Sequence, residues 1–171
     1  YLEAVGRLGG WAHVDIIAIH PYRPDAPEGH AWRRDQSLTF AQEMRRLDEI
    51  LRTYGPKPVW LTEIGWSTNQ GWPGVDEDTQ AFFLVRAYLL AIAHPSIEKV
   101  FWYDFRNDTW PGAPYERPVY NPREVEFHYG LLRRAYPLDP ASPDLRKPAF
   151  LAFRTMTEML GGLTLREVAR D

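Results

Sequence analysis

The chain repeats one pattern three times: a short apolar run, a loop rich in Pro, Gly and Trp, and then an amphipathic helix. The apolar runs cover residues 14–20 (VDIIAIH), 58–63 (PVWLTE) and 100–105 (VFWYDF). Their nearly continuous, β-branched character is typical of strands that are buried on both faces. Strands that alternate with helices at this spacing predict βαβ crossovers and a parallel sheet, so the fold class is α/β.

Capping residues mark where the predicted helices begin. Ser37 or Thr39 can cap the first helix, and Thr39 has the spacing of a capping box with Gln42. Asp76 or Asp78 can cap the second helix, which we expect to end near residue 93. A proline opens the third helix and a pair of glycines closes it, which is the usual asymmetry of helix ends.

Two folds dominate this class, the open doubly wound sheet and the closed (β/α)8 barrel. No glycine-rich nucleotide-binding pattern follows any of the predicted strands, which weakens the first. The carboxyl ends of barrel strands face the active site, and here those ends are polar and aromatic. The residues concerned are His20, Tyr22, Glu63, Trp66, Trp102 and Asp104. We therefore favour the barrel.

Three strands cannot close a barrel, because a whole one needs about 250 residues. The sequence begins with Tyr1 rather than Met, and residues 1–8 resemble the end of a helix. We therefore expect residues 1–171 to be the C-terminal fragment of a barrel, an incomplete set of three βα units. Its two unpaired sheet edges predict a covering partner, either the missing N-terminal half or a second copy of the chain.

Composition excludes several other functions. The net charge of −3 argues against a surface for nucleic acid. The absence of cysteine excludes disulfides and thiolate metal sites. No run of about 18 apolar residues suggests a membrane span. The five histidines show no metal-binding spacing, so we expect neither a metal nor another cofactor.

Glu63 is the strongest candidate for chemistry. It ends an apolar strand and is followed at once by Ile64, Gly65 and Trp66, so its carboxylate is expected to be held rigidly beside aromatic surface. Residues 57–68 (KPVWLTEIGWST) resemble the seventh-strand nucleophile motif of clan A glycoside hydrolases.

Three further segments are similar to the same clan. VDIIAIHPY resembles its sixth strand, VFWYDF its eighth strand, and KPAFLAF the helix after that strand. The nearest relatives look like family 39, with families 5 and 53 less close. The resemblance spans nearly the whole chain and implies a retaining O-glycosidase that acts on an oligosaccharide or polysaccharide.

The resemblance also implies roles for individual residues. Glu63 would be the nucleophile, one of two carboxyl groups that a retaining enzyme holds about 5–5.5 Å apart. Tyr22 and His20 would be its hydrogen-bond donors, although a packed Tyr and a capped His in an ordinary loop would give the same pattern. Trp102 would be a sugar platform, or else a tryptophan of the barrel core. Trp66 could extend such a platform.

The second carboxyl group is not evident in this sequence. The clan carries it in an Asn-Glu pair on the fourth strand, and no such pair occurs here. We expect it in the N-terminal half, so this chain alone should be nearly inactive. Asp104 is an in-chain substitute, or it pairs with a loop charge such as Arg106. The alternative function is a carbohydrate-binding or catalytically inactive barrel. Localisation stays open, although enzymes of this kind are often exported.

Overall fold

A computed structural model of the chain describes residues 1–31, 38–110, 112, 121–134 and 144–167. Strands and helices alternate after a short first helix, and two 3₁₀ turns cover Gly10–His13 and Val125–His128. The elements are α1 (Leu2–Arg7), β1 (Ile17–Ile19), α2 (Phe40–Tyr54), β2 (Val59–Ile64), α3 (Glu77–Ile92), β3 (Ile97–Trp102) and α4 (Pro148–Leu160).

The three strands form one sheet in the order β1-β2-β3 and run parallel, which confirms the predicted α/β class. β1 pairs with β2 in a register that sets Ile17 beside Val59 and Ile19 beside Leu61. Within the described residues, no helix combines the length and apolar character that a membrane crossing requires.

The chain divides into two compact units, Tyr1–Ile64 with Leu90–Phe101, and Gly65–Leu89 with Trp102–Asp171. In the first unit, apolar side chains of β1 and β2 pack against one face of α2. The buried core residues are Trp11, Ile17, Phe40, Met44, Leu47, Leu51, Val59, Leu61 and Ala91. Thr39 and Gln42 form the predicted capping box at the start of α2, and Gly55 follows its last residue. Ser37, the other candidate cap, lies outside the described residues.

In the second unit, α3 and α4 supply most of a separate core. Its buried members are Ala81, Leu84, Leu131, Ala149 and Met156. Asp76 accepts hydrogen bonds from the backbone N–H and the hydroxyl of Thr79, so it is the residue that caps α3. α4 begins at Pro148 and ends before Gly161, as predicted.

The predicted limits of two strands are wrong. β1 covers three residues rather than seven, because Val14 still donates its N–H to the 3₁₀ turn through Trp11 O. β3 begins and ends three residues earlier than predicted. Its start was hidden because Glu98 and Lys99 are exposed strand residues that interrupt the apolar pattern. After Trp102 the chain leaves the sheet, so Asp104 does not end the strand as expected.

Candidate active site

Glu63 is the penultimate residue of β2, in a strand whose backbone is fixed by buried neighbours. Leu61 and Ile64 are 0% and 2% exposed, whereas the Glu63 side chain is 40% exposed. Packing therefore holds the backbone on both sides of the glutamate while its carboxylate reaches solvent. A carboxylate that is held this way can act on a ligand without first being ordered.

Two side chains from the segment after β1 meet this carboxylate. The Tyr22 hydroxyl donates a hydrogen bond to Glu63 Oε2 at 3.2 Å. His20 Nδ1 lies 3.5 Å from the same oxygen. The structure thus brings together three of the residues singled out by sequence, and it does so because parallel strands present their carboxyl ends at the same edge of a sheet. Both contacts converge on one oxygen of the carboxylate.

Arg23, next to Tyr22, was missed by the sequence analysis. It is 1% exposed, and its guanidinium pairs with Glu43 of α2 through an Nη2–Oε2 contact of 2.6 Å. A buried arginine in a loop is not expected from sequence, because charged residues are rarely buried unless they are paired. The only signal is its position between two prolines in the run HPYRP.

In the second unit, Gly65 and Trp66 begin the loop after β2. A Cβ atom on Gly65 would lie 2.0 Å from the carbonyl oxygen of Tyr103, so only glycine allows this close approach. Trp66 is 3% exposed and packs against Phe83, with ring centroids 5.4 Å apart. Its ring is therefore largely covered by the protein itself.

Trp102 is half-buried in the same unit. Its ring centroid lies 6.0 Å from that of Trp66, and its indole N–H donates to the carbonyl of Tyr129 at 3.3 Å. Trp102 also packs on the core that α3 and α4 form. Because it is only partly covered, part of the indole surface remains accessible.

Asp104 lies two residues beyond β3, where the backbone bonds to residues 129–131. Its N–H donates to Tyr129 O at 3.3 Å, and its carbonyl accepts from Leu131 N at 2.9 Å. The side chain accepts from the backbone N–H of Phe105. Burial and the nearby Asp104 raise the pKa of Asp108, whose carboxylate lies 3.9 Å from Arg134.

The second unit also buries a lysine. Lys147, the residue before α4, is 0% exposed, and its Nζ donates to Thr68 Oγ1 at 3.0 Å and to His128 O at 2.8 Å. Burial lowers the pKa of Lys147 to about 7. The charge of Glu77 opposes this shift, and the charge of Arg133 adds to it.

Burial also lowers the pKa of His128, a second buried residue of this unit, although its hydrogen bond to Asn121 O opposes the shift.

A small cavity of about 200 Å³ lies within the second unit. Polar and charged side chains supply much of its wall, among them Asn107, Asp108, His128 and Arg134. Across the part of the chain that the structure describes, no three His, Asp or Glu side chains form a group that could hold a metal ion.

Sequence comparison supplies one family match. A family model described as glycosyl hydrolase catalytic core matches residues 5–118. Among curated proteins, none matches the chain significantly.

The solved structures agree with this match. A family 39 glycoside hydrolase from the gut symbiont Bacteroides cellulosilyticus WH2 is 28% identical with a TM-score of 0.71, and the match covers 98% of this chain and 32% of that one. Two others share the fold. The Bifidobacterium dentium beta-glucuronidase is 19% identical over 88% of this chain and 21% of its own, with a TM-score of 0.51. A GH2 beta-galacturonidase from Eisenbergiella tayi is 15% identical over 94% and 26%, with a TM-score of 0.55.

These matches confirm the predicted partial barrel. The chain spans about a third of the length of the family 39 enzyme that it matches. The three parallel strands with their helices correspond to part of a TIM-barrel glycosidase.

Proposed function

The chain belongs to the glycosyl hydrolase catalytic core family, and on that premise we propose that it carries Glu63 as the nucleophile of a retaining O-glycosidase acting on an oligosaccharide or polysaccharide. The observation that carries the proposal is the contact between Tyr22 and Glu63, at 3.2 Å from hydroxyl to carboxylate. A nucleophilic carboxylate has to be fixed in direction, and a phenol that donates a hydrogen bond to it serves that need.

The proposed reaction proceeds in two steps. Glu63 attacks the anomeric carbon while a second carboxyl group protonates the leaving oxygen, and a covalent glycosyl-enzyme forms. The second group then removes a proton from water, whose oxygen attacks the anomeric carbon and displaces Glu63, so the sugar is released with its original configuration. We propose that this second group belongs to barrel strands outside the 171 residues, since the family 39 enzyme that matches the chain is about three times as long.

It follows that the isolated chain should turn over substrate poorly. Loss of a general acid typically costs about 10²–10⁴-fold in rate. Rebuilding the whole barrel around these strands is then expected to restore activity.

We further propose substrate contacts for the remaining residues. His20, with its side chain 49% exposed, can bond a sugar hydroxyl next to Glu63. Trp102 has accessible indole surface on which the CH face of a sugar can stack. Trp66 is proposed to support the Trp102 ring from behind rather than to touch sugar itself, because its own surface is covered. Asp104 can accept a hydrogen bond from a sugar hydroxyl.

The test is Glu63→Gln in the full-length protein, with Glu98→Gln as the matched control. Glu98 is an exposed glutamate on the neighbouring strand. We expect Glu63→Gln to lower kcat by at least about 10³-fold and to spare sugar affinity, because the amide keeps the shape but cannot form the ester. Activity that survives this change would overturn the proposal in favour of another nucleophile.

A second variant separates a nucleophile from an acid/base residue. In Glu63→Ala, azide should enter the vacated space and restore cleavage of an activated aryl glycoside. A glycosyl azide of inverted configuration is expected, since azide then attacks from the face that Glu63 occupied. A product of retained configuration would instead assign Glu63 the acid/base role.

A further inference from the structure

The buried guanidinium of Arg23 anchors the loop that carries Tyr22. The Arg23 side chain is 0% exposed. Its Nε donates to Pro21 O at 3.1 Å and its Nη1 to Gly29 O at 2.9 Å. Its Nη2 meets Glu43 Oε2 at 2.6 Å, and its Cζ lies 5.3 Å from the centre of the Phe40 ring.

These contacts join three parts of the first unit. Pro21 follows directly after His20, Gly29 lies about midway between β1 and α2, and Glu43 lies in the first turn of α2. One side chain therefore closes the loop on itself and fastens it to the helix. Arginine can do this because its donors point in several fixed directions, whereas a lysine ammonium is a compact point charge.

Burying the Arg23 guanidinium has a free-energy cost that loop closure alone does not require. A buried charge costs several kcal/mol in desolvation, and apolar side chains of similar volume often stabilise a fold as well or better. The same loop already has a fully buried proline, Pro27, as an apolar anchor. Loop closure alone therefore does not explain why the Arg23 guanidinium is buried. Its position next to Tyr22 offers an explanation.

We propose that Arg23 is a positioning residue that holds the Tyr22 hydroxyl against Glu63. Tyr22 lies between Pro21, whose carbonyl Arg23 binds, and Arg23 itself, so the backbone is fixed on both sides of the tyrosine. Only the tyrosine side-chain torsions then remain free, and the bond to Glu63 selects one arrangement.

The consequence for the reaction rests on the proposed function. An error of about 1 Å in the placement of a reacting group can cost about 10²-fold in rate. A loop fastened to a helix keeps the phenol, and with it the carboxylate, in one place between turnovers.

The experiment follows the Tyr22 hydroxyl by NMR of tyrosine labelled with ¹³C at Cζ. The Tyr22 signal is assigned by its loss in Tyr22→Phe. Its displacement on Glu63→Gln is then measured in the parent chain, in Arg23→Lys and in Glu43→Gln. Glu43→Gln is the milder change, because it weakens the ion pair and leaves the buried volume filled.

In the parent chain we expect the Tyr22 signal to move clearly when Glu63 becomes Gln. In folded Arg23→Lys it should move less than half as far, and in Glu43→Gln by an intermediate amount, because the hydroxyl has already left the carboxylate. Full displacement in both variants would overturn the proposal. Enzymatic activity plays no part in this measurement, so its outcome is independent of whether Glu63 is a nucleophile.

Discussion

Among the described residues, each of the two compact units buries one Arg or Lys side chain, and the two cations are satisfied in different ways. Arg23 in the first unit meets a carboxylate, Glu43, at 2.6 Å. Lys147 in the second unit donates to two neutral oxygens of the described residues, the Thr68 hydroxyl and the His128 carbonyl. The first is a paired charge inside the protein, and the second is a group for which giving up its proton relieves the cost of burial.

The comparison teaches that burial has different consequences for the two side chains. Arginine stays charged at any pH at which proteins fold. In the fold the pKa of Lys147 falls to about 7 from its ordinary value of 10.5. Below pH 7 the cost of burying the ammonium is present in full. Between these two values the unfolded chain binds more protons, so stability rises with pH.

The largest loss of stability is expected from removing the Glu43 carboxylate, which pairs with Arg23 in the first unit. Glu43→Ala leaves the Arg23 charge buried without its partner, and we expect the free energy of unfolding to fall by about 3 to 5 kcal/mol. Urea unfolding at pH 7 measures this. The control is Glu49→Ala, an exposed glutamate on the same helix. Equal losses in the two variants would mean that the Arg23 charge finds another partner, and the contrast with Lys147 would disappear.

The second prediction concerns how the stability of the second unit depends on pH. In the parent chain we expect the free energy of unfolding to rise by up to about 3 kcal/mol between pH 7 and pH 10. Lys147→Met has no proton to lose and should remove most of this rise. The check is a series of urea unfolding curves across this range, with Lys99→Met, an exposed lysine, as the control. A rise that persists in Lys147→Met would assign the titration to another group.

The smallest change in stability is expected from removing the Thr68 hydroxyl, one of the two neutral oxygens that accept a hydrogen bond from Lys147. Thr68→Val removes the hydroxyl that accepts from Lys147 and should cost about 1 kcal/mol at pH 7. It should also lower the pKa of Lys147 further, so that stability begins to rise at a lower pH. Thr157→Val changes an exposed helical threonine and should leave that onset in place. An unchanged onset in Thr68→Val would show that the hydroxyl contributes little to holding the proton.

Much of the fold could be predicted because local chemistry decides it. The capping box at Thr39 and the apolar periodicity of α2 both depend on residues a few positions apart. The prominence of Glu63 came from its place at the end of an apolar run. The limits of β3 could not be found this way, because exposed Glu98 and Lys99 lie inside the strand.

The burial of Arg23 and Lys147 could not be predicted from the sequence, for a different reason. Arg23 and its partner Glu43 are 20 residues apart, and Lys147 lies 79 residues from Thr68. Contacts between residues so far apart in the sequence depend on how the helices and strands pack. The charge of Arg and Lys, taken alone, predicts an exposed position. Lys147 also takes a helix N-cap, where Ser, Thr, Asp or Asn would be expected.

The close approach of the Tyr103 carbonyl to Gly65 has a practical consequence for anyone who redesigns this protein. A mutant library that randomises the loop after β2 would lose nearly every member altered at position 65, because any side chain there meets the Tyr103 carbonyl. Effort is better directed to Trp72, whose side chain is 76% exposed. The two positions are only seven residues apart, yet the backbone leaves no room for a side chain at position 65, whereas the side chain at position 72 is largely in solvent.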